Sequence, residues 1–502
     1  MSRLRANLLA GFAGRGWTAA MALVFVPVVI HRLGIEAYGL VGVYASLQSL
    51  VVLLDLGLGL TLNRELARLS ALPGEEARMR DVMRTLEVVY WGIGIAILLA
   101  LSPLAPWLAH HWVQPVRLPQ ATVERALLMM VAVVAARWPL ALYNGGLSGL
   151  QRQVPLNVIN AVMATVQNGG AVAVLYLAPP TLEAYFAWLL GAGILNTALV
   201  GWFLWRSLPR AAARPAFRLQ ILRELGGFAA GTAGIAVTAL ILQQLDKVVL
   251  SRLLTLEAFG YYTLAGVAAS SLYRLIEPVF AALYPRLTEL TAAGVDELAA
   301  FYHRASQLLA LALLPAAAVL IAFAPELLLL WTGNPAAVGN ASILLRILAA
   351  GTALNGMMTV PYALQLASGW PQLALRLNVA ASLAIGPLMW WLTLARGAAG
   401  AASVWVAVNA FYVAIGVQLM HRRLLPGEQG RWYRDALLRP LLASAAVAFA
   451  ARLAWRRPLP VALTVAALAV VSLAVLAATA AVLPAARREI GLRLGRGTRA
   501  SA

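Results

Sequence analysis

The sequence predicts an all-α integral membrane protein of about fourteen transmembrane helices, built from two parallel six-helix repeats followed by two extra helices. Three observations predict it: apolar segments along the whole chain, arginines concentrated in alternate connections, and a self-similarity at one shared offset.

The 502 residues are 62% hydrophobic and 12% charged. A soluble domain has roughly 45–50% apolar and about 25% charged residues. The excess recurs in segments of about 20 residues, the length that spans a bilayer core as a helix. The predicted spans are 8–30, 37–60, 85–108, 126–147, 156–178, 183–205, 226–249, 258–282, 305–324, 341–363, 373–395, 400–420, 437–455 and 459–483. No intervening stretch exceeds about 25 residues, so no sizeable soluble domain is expected. The first apolar stretch is longer than the roughly 7–15 residues of a signal core and reads as a retained helix. The chain has no cysteine, which excludes disulfides and thiolate metal sites.

The net charge of +19 rests almost wholly on arginine, Lys247 being the only lysine. Nucleic acid is not the implied partner, because the arginines sit in short connections between apolar spans. Arg64, Arg68, Arg78, Arg80 and Arg84 follow the second span, and Arg206, Arg210, Arg214, Arg218 and Arg223 the sixth. Arg422, Arg423, Arg431, Arg434 and Arg439 follow the twelfth, and Arg487, Arg488, Arg493, Arg496 and Arg499 form the tail. The other side holds Arg32, Arg117, Arg125, Arg252, Arg396, Arg456 and Arg457. The bias, about 26 to about seven, puts both termini in the cytoplasm.

Val29-Ile30-His31-Arg32-Leu33 with Glu36-Ala37-Tyr38-Gly39 matches Val249-Leu250-Ser251-Arg252-Leu253 with Glu257-Ala258-Phe259-Gly260. Leu156-Asn157-Val158 matches Leu377-Asn378-Val379, and Pro139 pairs with Pro361 to within one residue of the same offset. A common offset in separate regions points to a duplicated unit of six spans, an even number, so both copies share one orientation. The expected organisation is a bundle over 1–205, a basic cytoplasmic linker over 206–224, a second bundle over 225–420, and two helices with a basic tail over 421–502.

Phe25-Val26-Pro27, Leu33-Gly34-Ile35-Glu36-Ala37-Tyr38-Gly39-Leu40 and Leu54-Asp55-Leu56-Gly57-Leu58 resemble the opening of the polysaccharide-unit flippases. These belong to the multidrug/oligosaccharidyl-lipid/polysaccharide exporter superfamily. Gly149-Leu150-Gln151-Arg152, Gln244-Leu245-Asp246-Lys247, Tyr284-Pro285-Arg286-Leu287 and Leu330-Trp331-Thr332-Gly333 extend the likeness to about residue 420. The resemblance implies a V-shaped transporter in a bacterial inner membrane. It implies a substrate of oligosaccharide on undecaprenyl pyrophosphate, flipped to the outer leaflet for O-antigen or exopolysaccharide assembly. The implied partners are that lipid-linked glycan, membrane lipids and other polysaccharide-assembly proteins; no cofactor is implied.

A charge within the hydrocarbon costs roughly 3 kcal/mol or more and tends to face an interior or a wet cavity. Arg15 and Arg137 lie at mid-span with no acidic residue three or four positions away. They are candidates to grip a pyrophosphate, the competing role being pairing with a carboxylate on another helix. Lys247 and Arg346 are further candidate cations for the cavity. Asp55 and Asp246 are candidates for ion coupling or charge pairing. Arg274 and Glu277, three residues apart, are placed to neutralise each other. Pro27, Pro139, Pro278 and Pro361 are hinge candidates, a static kink being the alternative. Gly227 and Gly231 have the spacing of close helix packing.

There is no P-loop, and the five histidines form no zinc-protease motif; His110-His111 reads as a solvated pair. Two other functions compete with the flippase. A cation-coupled multidrug antiporter of the same superfamily predicts twelve core helices and acidic cavity residues. A membrane polysaccharide polymerase or ligase predicts a large catalytic outer loop, whereas the longest expected here cover only 109–125 and 325–340.

Overall fold

The computed structural model describes residues 2–51, 57–225, 244–291, 295–455 and 458–487. Asp55, Gly227, Gly231 and the arginines beyond residue 487 lie outside them, as do the side chains of Arg15 and Pro278. The described chain is helical almost throughout. Its only extended pairing is a single parallel bridge between Gln114 and Thr255.

Residues to Gly260 form one compact unit and those from Tyr261 another. The first holds α1 (Ser2–Leu33), α2 (Ile35–Val51), α3 (Leu58–Leu69), α4 (Glu76–Leu101), α5 (Leu104–His111), α6 (Gln120–Arg137), α7 (Leu140–Gly149), α8 (Gln153–Leu177) and α9 (Leu182–Ser207). α10 (Leu256–Ser270) begins at its end. The second holds α11 (Tyr273–Leu290), α12 (Val295–Ala322), α13 (Ala324–Thr332), α14 (Pro335–Met357), α15 (Thr359–Ala367) and α16 (Gln372–Phe411). It continues with α17 (Val417–Leu424), α18 (Arg439–Ala454) and α19 (Val461–Val482).

Ten described stretches are long and apolar enough to cross a membrane, and the protein is a multi-pass membrane protein. One of them, Gln372–Leu424, is 53 residues long and contains two expected spans. Gly397 divides them at φ 57°, a left-handed conformation that glycine adopts without steric penalty. The expected span 258–282 is divided between two shorter helices, α10 and α11. The expected span 37–60 covers α2 and α3, with 52–56 outside the described residues, and Gly57, at φ 74°, is the N-cap of α3. The expected span 226–249 falls largely on 226–243, outside the described residues. The 325–340 connection is itself mostly helical, formed by α13 and the start of α14.

The duplication is visible in the helix boundaries. The starts of α2 and α10, Ile35 and Leu256, are 221 residues apart. The same offset relates the ends of α3 and α11 (Leu69, Leu290), α4 and α12 (Leu101, Ala322), and α5 and α13 (His111, Thr332). Packing repeats as well: α3 lies on α7 as α11 lies on α15, and α4 on α6 as α12 on α14. Proline breaks one long helix in each copy. α6 gives way to α7 at Pro139, and α15 follows α14 with Pro361 in its first turn. α1 runs through Pro27 unbroken.

Lipid is as apolar as leucine, so membrane helices associate through close packing and small residues. On α7, a Cβ at Gly145 or Gly149 would strike the carbonyl oxygens of Gly59 or Asn63 on α3. The repeated motif makes a reciprocal version of this contact. A Cβ on Gly39 would strike the carbonyl oxygen of Leu256, and one on Gly260 that of Ile35. Gly39 and Gly260 are 221 residues apart, as are Ile35 and Leu256, so the starts of α2 and α10 meet through equivalent residues. The Glu36 carboxylate, on the first turn of α2, accepts from the amides of Val116 and Arg117. Gln114 donates to the Arg252 carbonyl and accepts from the Leu256 amide.

In the second unit, α18 and α19 are attached to α12 by a core of Val319, Phe323, Ala448, Leu468 and Val475. Arg452 pairs with Glu326, and Gln307 accepts from the Ala485 amide.

Gly39→Ala and Gly260→Ala should each cost about 1–3 kcal/mol, because the added methyl forces the helices apart. Thermal melting in detergent will show this as a lower transition. Gly191→Ala, inside α9 where a Cβ meets nothing within 4 Å, should leave the transition unlowered or raise it slightly.

Candidate functional site

In the first unit Arg137, the last residue of α6, lies well inside the apolar stretch Gln120–Gly149. Its aliphatic stem crosses α9 at Gly193, where a Cβ would lie 2.9 Å from the Arg137 Cγ. The missing side chain thus makes room for the arginine. Nη1 donates to the Tyr44 hydroxyl on α2 at 3.5 Å, a long hydrogen bond. Nε is buried and has no partner. Tyr44, 6% exposed, is fixed by an edge contact with Phe186 at 5.7 Å. No ion pair of Arg137 exists among the described residues. The guanidinium has five donors, and the Tyr44 hydroxyl is the one acceptor it meets among the described residues.

Glu87 of α4, which the sequence reading did not single out, is the opposite case. It is 7% exposed and fully satisfied. One oxygen accepts from the Tyr143 hydroxyl at 2.8 Å and the Trp205 indole at 2.9 Å. The other pairs with Arg84 at 2.9 Å. Glu87 therefore ties α4 to α7 and α9. The signal available in the sequence was a carboxylate three residues after Arg84, just inside an apolar span.

The remaining candidates of this unit are spread along it. Arg15 is carried by α1. Lys247, half-buried on the helix over 244–253, donates to Gln244 Oε1 at 3.1 Å. Asp246 beside it is half-buried.

In the second unit Arg346 lies in α14, half-buried, with a buried Nε that has no partner. Arg274 and Glu277 are both exposed on α11, with Pro278 in the same helix. The centre of this unit is instead a chain of neutral groups. The Tyr273 hydroxyl donates to Asn355 at 3.2 Å, whose amide donates to Asn409 at 2.8 Å. Asn409 in turn donates to the Trp405 carbonyl, and the Trp405 indole to Thr352. The Tyr412 hydroxyl donates to Asn378 at 3.0 Å. Asparagine within apolar spans was the sequence signal for these residues, and a search restricted to charges passes over it. At the ends of the spans, Glu65 pairs with Arg68, and His110 stands 3.9 Å from Glu124. No cluster able to hold a metal ion occurs among the described residues.

Comparison with known proteins brings these features together. No curated protein matches the sequence. Among solved structures, the chain is similar to a lipid II flippase, MurJ, in an inward closed conformation. The TM-score is 0.66 at 14% identity, covering 93% of this chain and 97% of that one. It is similar to an inward-facing multidrug resistance MATE family transporter of the MOP superfamily, with TM-score 0.65, 14% identity, and coverage of 84% and 97%. A Vibrio cholerae MATE transporter gives TM-score 0.54 at 16% identity, covering 87% and 98%. At such identities the likeness establishes the fold, which is that of membrane transporters and flippases. Residues 4–291, more than half of the sequence, match the family described as polysaccharide biosynthesis protein; the chain belongs to that family.

Proposed function

We propose that the protein is a flippase carrying an undecaprenyl-pyrophosphate-linked oligosaccharide from the cytoplasmic to the outer leaflet of a bacterial inner membrane. The product serves surface polysaccharide assembly, of the O-antigen or exopolysaccharide kind, and both termini are cytoplasmic. The family match over residues 4–291 carries this reading, because it ties the transporter fold to glycan assembly. Arg137 supplies its chemistry: a guanidinium that no described carboxylate neutralises, on a helix that breaks two residues later.

In this reading Arg137 forms paired hydrogen bonds with a phosphate group, and Arg15, Lys247 and Arg346 supply further positive charge along the path. Asp246 and Asp55 are the sites for a coupling ion, while Arg274 and Glu277 serve as a charge pair. Pro27, Pro139, Pro278 and Pro361 absorb the bending that alternating access requires. The repeats 1–205 and 225–420 are the moving halves, the linker 206–224 joins them, and 421–502 is an added element. The arginine-rich connections attract anionic lipid and glycan-assembly proteins. The protein acts as a transporter and makes or breaks no covalent bond.

A cation-coupled antiporter is the second reading, and the fold shared with multidrug transporters favours it. Against it stands Glu87, a buried carboxylate already neutralised by Arg84.

Deletion of the gene should accumulate undecaprenyl-linked repeat units inside the cell and remove surface polymer, both reversed by the wild-type copy. Normal surface polymer with altered sensitivity to cationic drugs would instead support the antiporter. Arg137→Ala should lower surface polymer about 10- to 100-fold at normal membrane abundance, the loss of one or two charged hydrogen bonds. Arg137→Lys, which keeps the charge but not the paired geometry, should recover only part of it. Quantified surface glycan and protein level per cell check both variants.

A further inference from the structure

Between α4, α7 and α9 the first unit has an open-sided cleft of about 220 Å³. That is smaller than the roughly 300–1,000 Å³ of sites for drug-sized ligands. Its lining is mostly aromatic and aliphatic, with Trp91, Ala136, Ile194, Ala198, Trp202 and Trp205, which suits a segment of one hydrocarbon chain.

Two helix faces define it. On α9, Ile194, Ala198, Trp202 and Arg206 recur every fourth residue and form one stripe about 18 Å long. On α4, Arg80, Arg84, Glu87 and Trp91 form another at helical spacing. α4 carries its arginines towards its N-terminus and α9 its arginine at the C-terminus. The two connections concerned both belong to the arginine-rich side, so Arg80, Arg84 and Arg206 lie towards the same end of the cleft, its mouth, just beyond its lining residues, with Arg80 also donating to the Pro209 carbonyl. Away from the mouth the walls are Trp91, 42% exposed, and Trp202, 58% exposed, with Ile194 beyond them.

The charges decide what can enter. Glu87 is in the cleft wall, but its oxygens are already taken by Tyr143, Trp205 and Arg84. Asp81, one residue from Arg80, is engaged by Arg218 and by the Ala216 amide. Arg80 lies over the Trp205 ring at 5.5 Å, and Arg206 over the Trp202 ring at 5.4 Å. With the carboxylates neutralised, Arg80 and Arg206 leave the mouth positive. An organic cation is repelled there, and a phosphate is attracted.

We propose that this cleft is a binding site for an anionic phospholipid of the arginine-rich leaflet. Its phosphate is held by Arg206 and Arg80, and one acyl chain lies between Trp91 and Trp202 along Ile194 and Ala198. The site is separate from the polar path through Arg137 and does not depend on which substrate is carried.

The test is native mass spectrometry of the detergent-purified full chain after incubation with phosphatidylglycerol or phosphatidylcholine. Wild type should retain phosphatidylglycerol in preference to phosphatidylcholine. Arg206→Gln, which removes the mouth charge, should lower retention about fivefold. Ala198→Trp, which fills the cleft without changing charge, should lower it by a similar factor. Equal retention of the two lipids by wild type would overturn the proposal. So would unchanged retention in Ala198→Trp, which would reduce the effect to surface charge. Displacement of phosphatidylglycerol by equimolar undecaprenyl phosphate would also overturn it, by assigning the cleft to a polyprenyl chain.

Discussion

A charged side chain inside a bilayer must be neutralised by the protein, wetted, or offered to something that passes. This one constraint separates the polar residues of the chain into kinds. Glu87 is neutralised: three donors from three helices meet its two oxygens, and it acts as a structural tie. No described carboxylate neutralises Arg137, which has one long hydrogen bond and a buried nitrogen without a partner among the described residues. Removing either side chain would be costly, but for opposite reasons. The first loss would orphan its neighbours, while the second would remove a cation that no described carboxylate neutralises.

The second organising fact is duplication. Gly39 and Gly260 each make room for a carbonyl oxygen one repeat away, and each sits four residues after the residue that supplies the oxygen to its counterpart. A side chain at either position would separate the two backbones. The repeated Glu-Ala-aromatic-Gly words are therefore explained by packing. Their glycines are the imprint of a close helix approach. The same economy appears at Gly145 and Gly149 against α3. In a membrane, close approach of backbones replaces the burial of large apolar side chains as the means of holding helices together.

Much of the fold was legible because its signals are long-range and redundant. Apolar stretches of about 20 residues, arginines on alternate connections and a shared 221-residue offset all survive errors at single positions. The division of span 258–282 was not legible. Its break at Ser271-Leu272 carries neither glycine nor proline, so nothing in the sequence marks it. The candidate site was legible only where it is charged. Arg137 and Arg346 stand out in apolar sequence. Tyr273, Asn355 and Asn409 do not, because a neutral amide costs little enough to look like an ordinary polar substitution. Glu87 was hidden by Arg84 nearby, which makes it resemble a surface ion pair at the end of a span.

The central claim is that the protein itself moves a lipid-linked glycan across a bilayer. The most direct test is a vesicle assay with purified protein and an undecaprenyl-pyrophosphate oligosaccharide placed in one leaflet. The headgroup is followed by its exposure to an impermeant glycan-modifying reagent on the other side. The account predicts transfer well above protein-free vesicles, saturating with substrate. Transfer no faster than in protein-free vesicles, with the protein folded and correctly inserted, would contradict it.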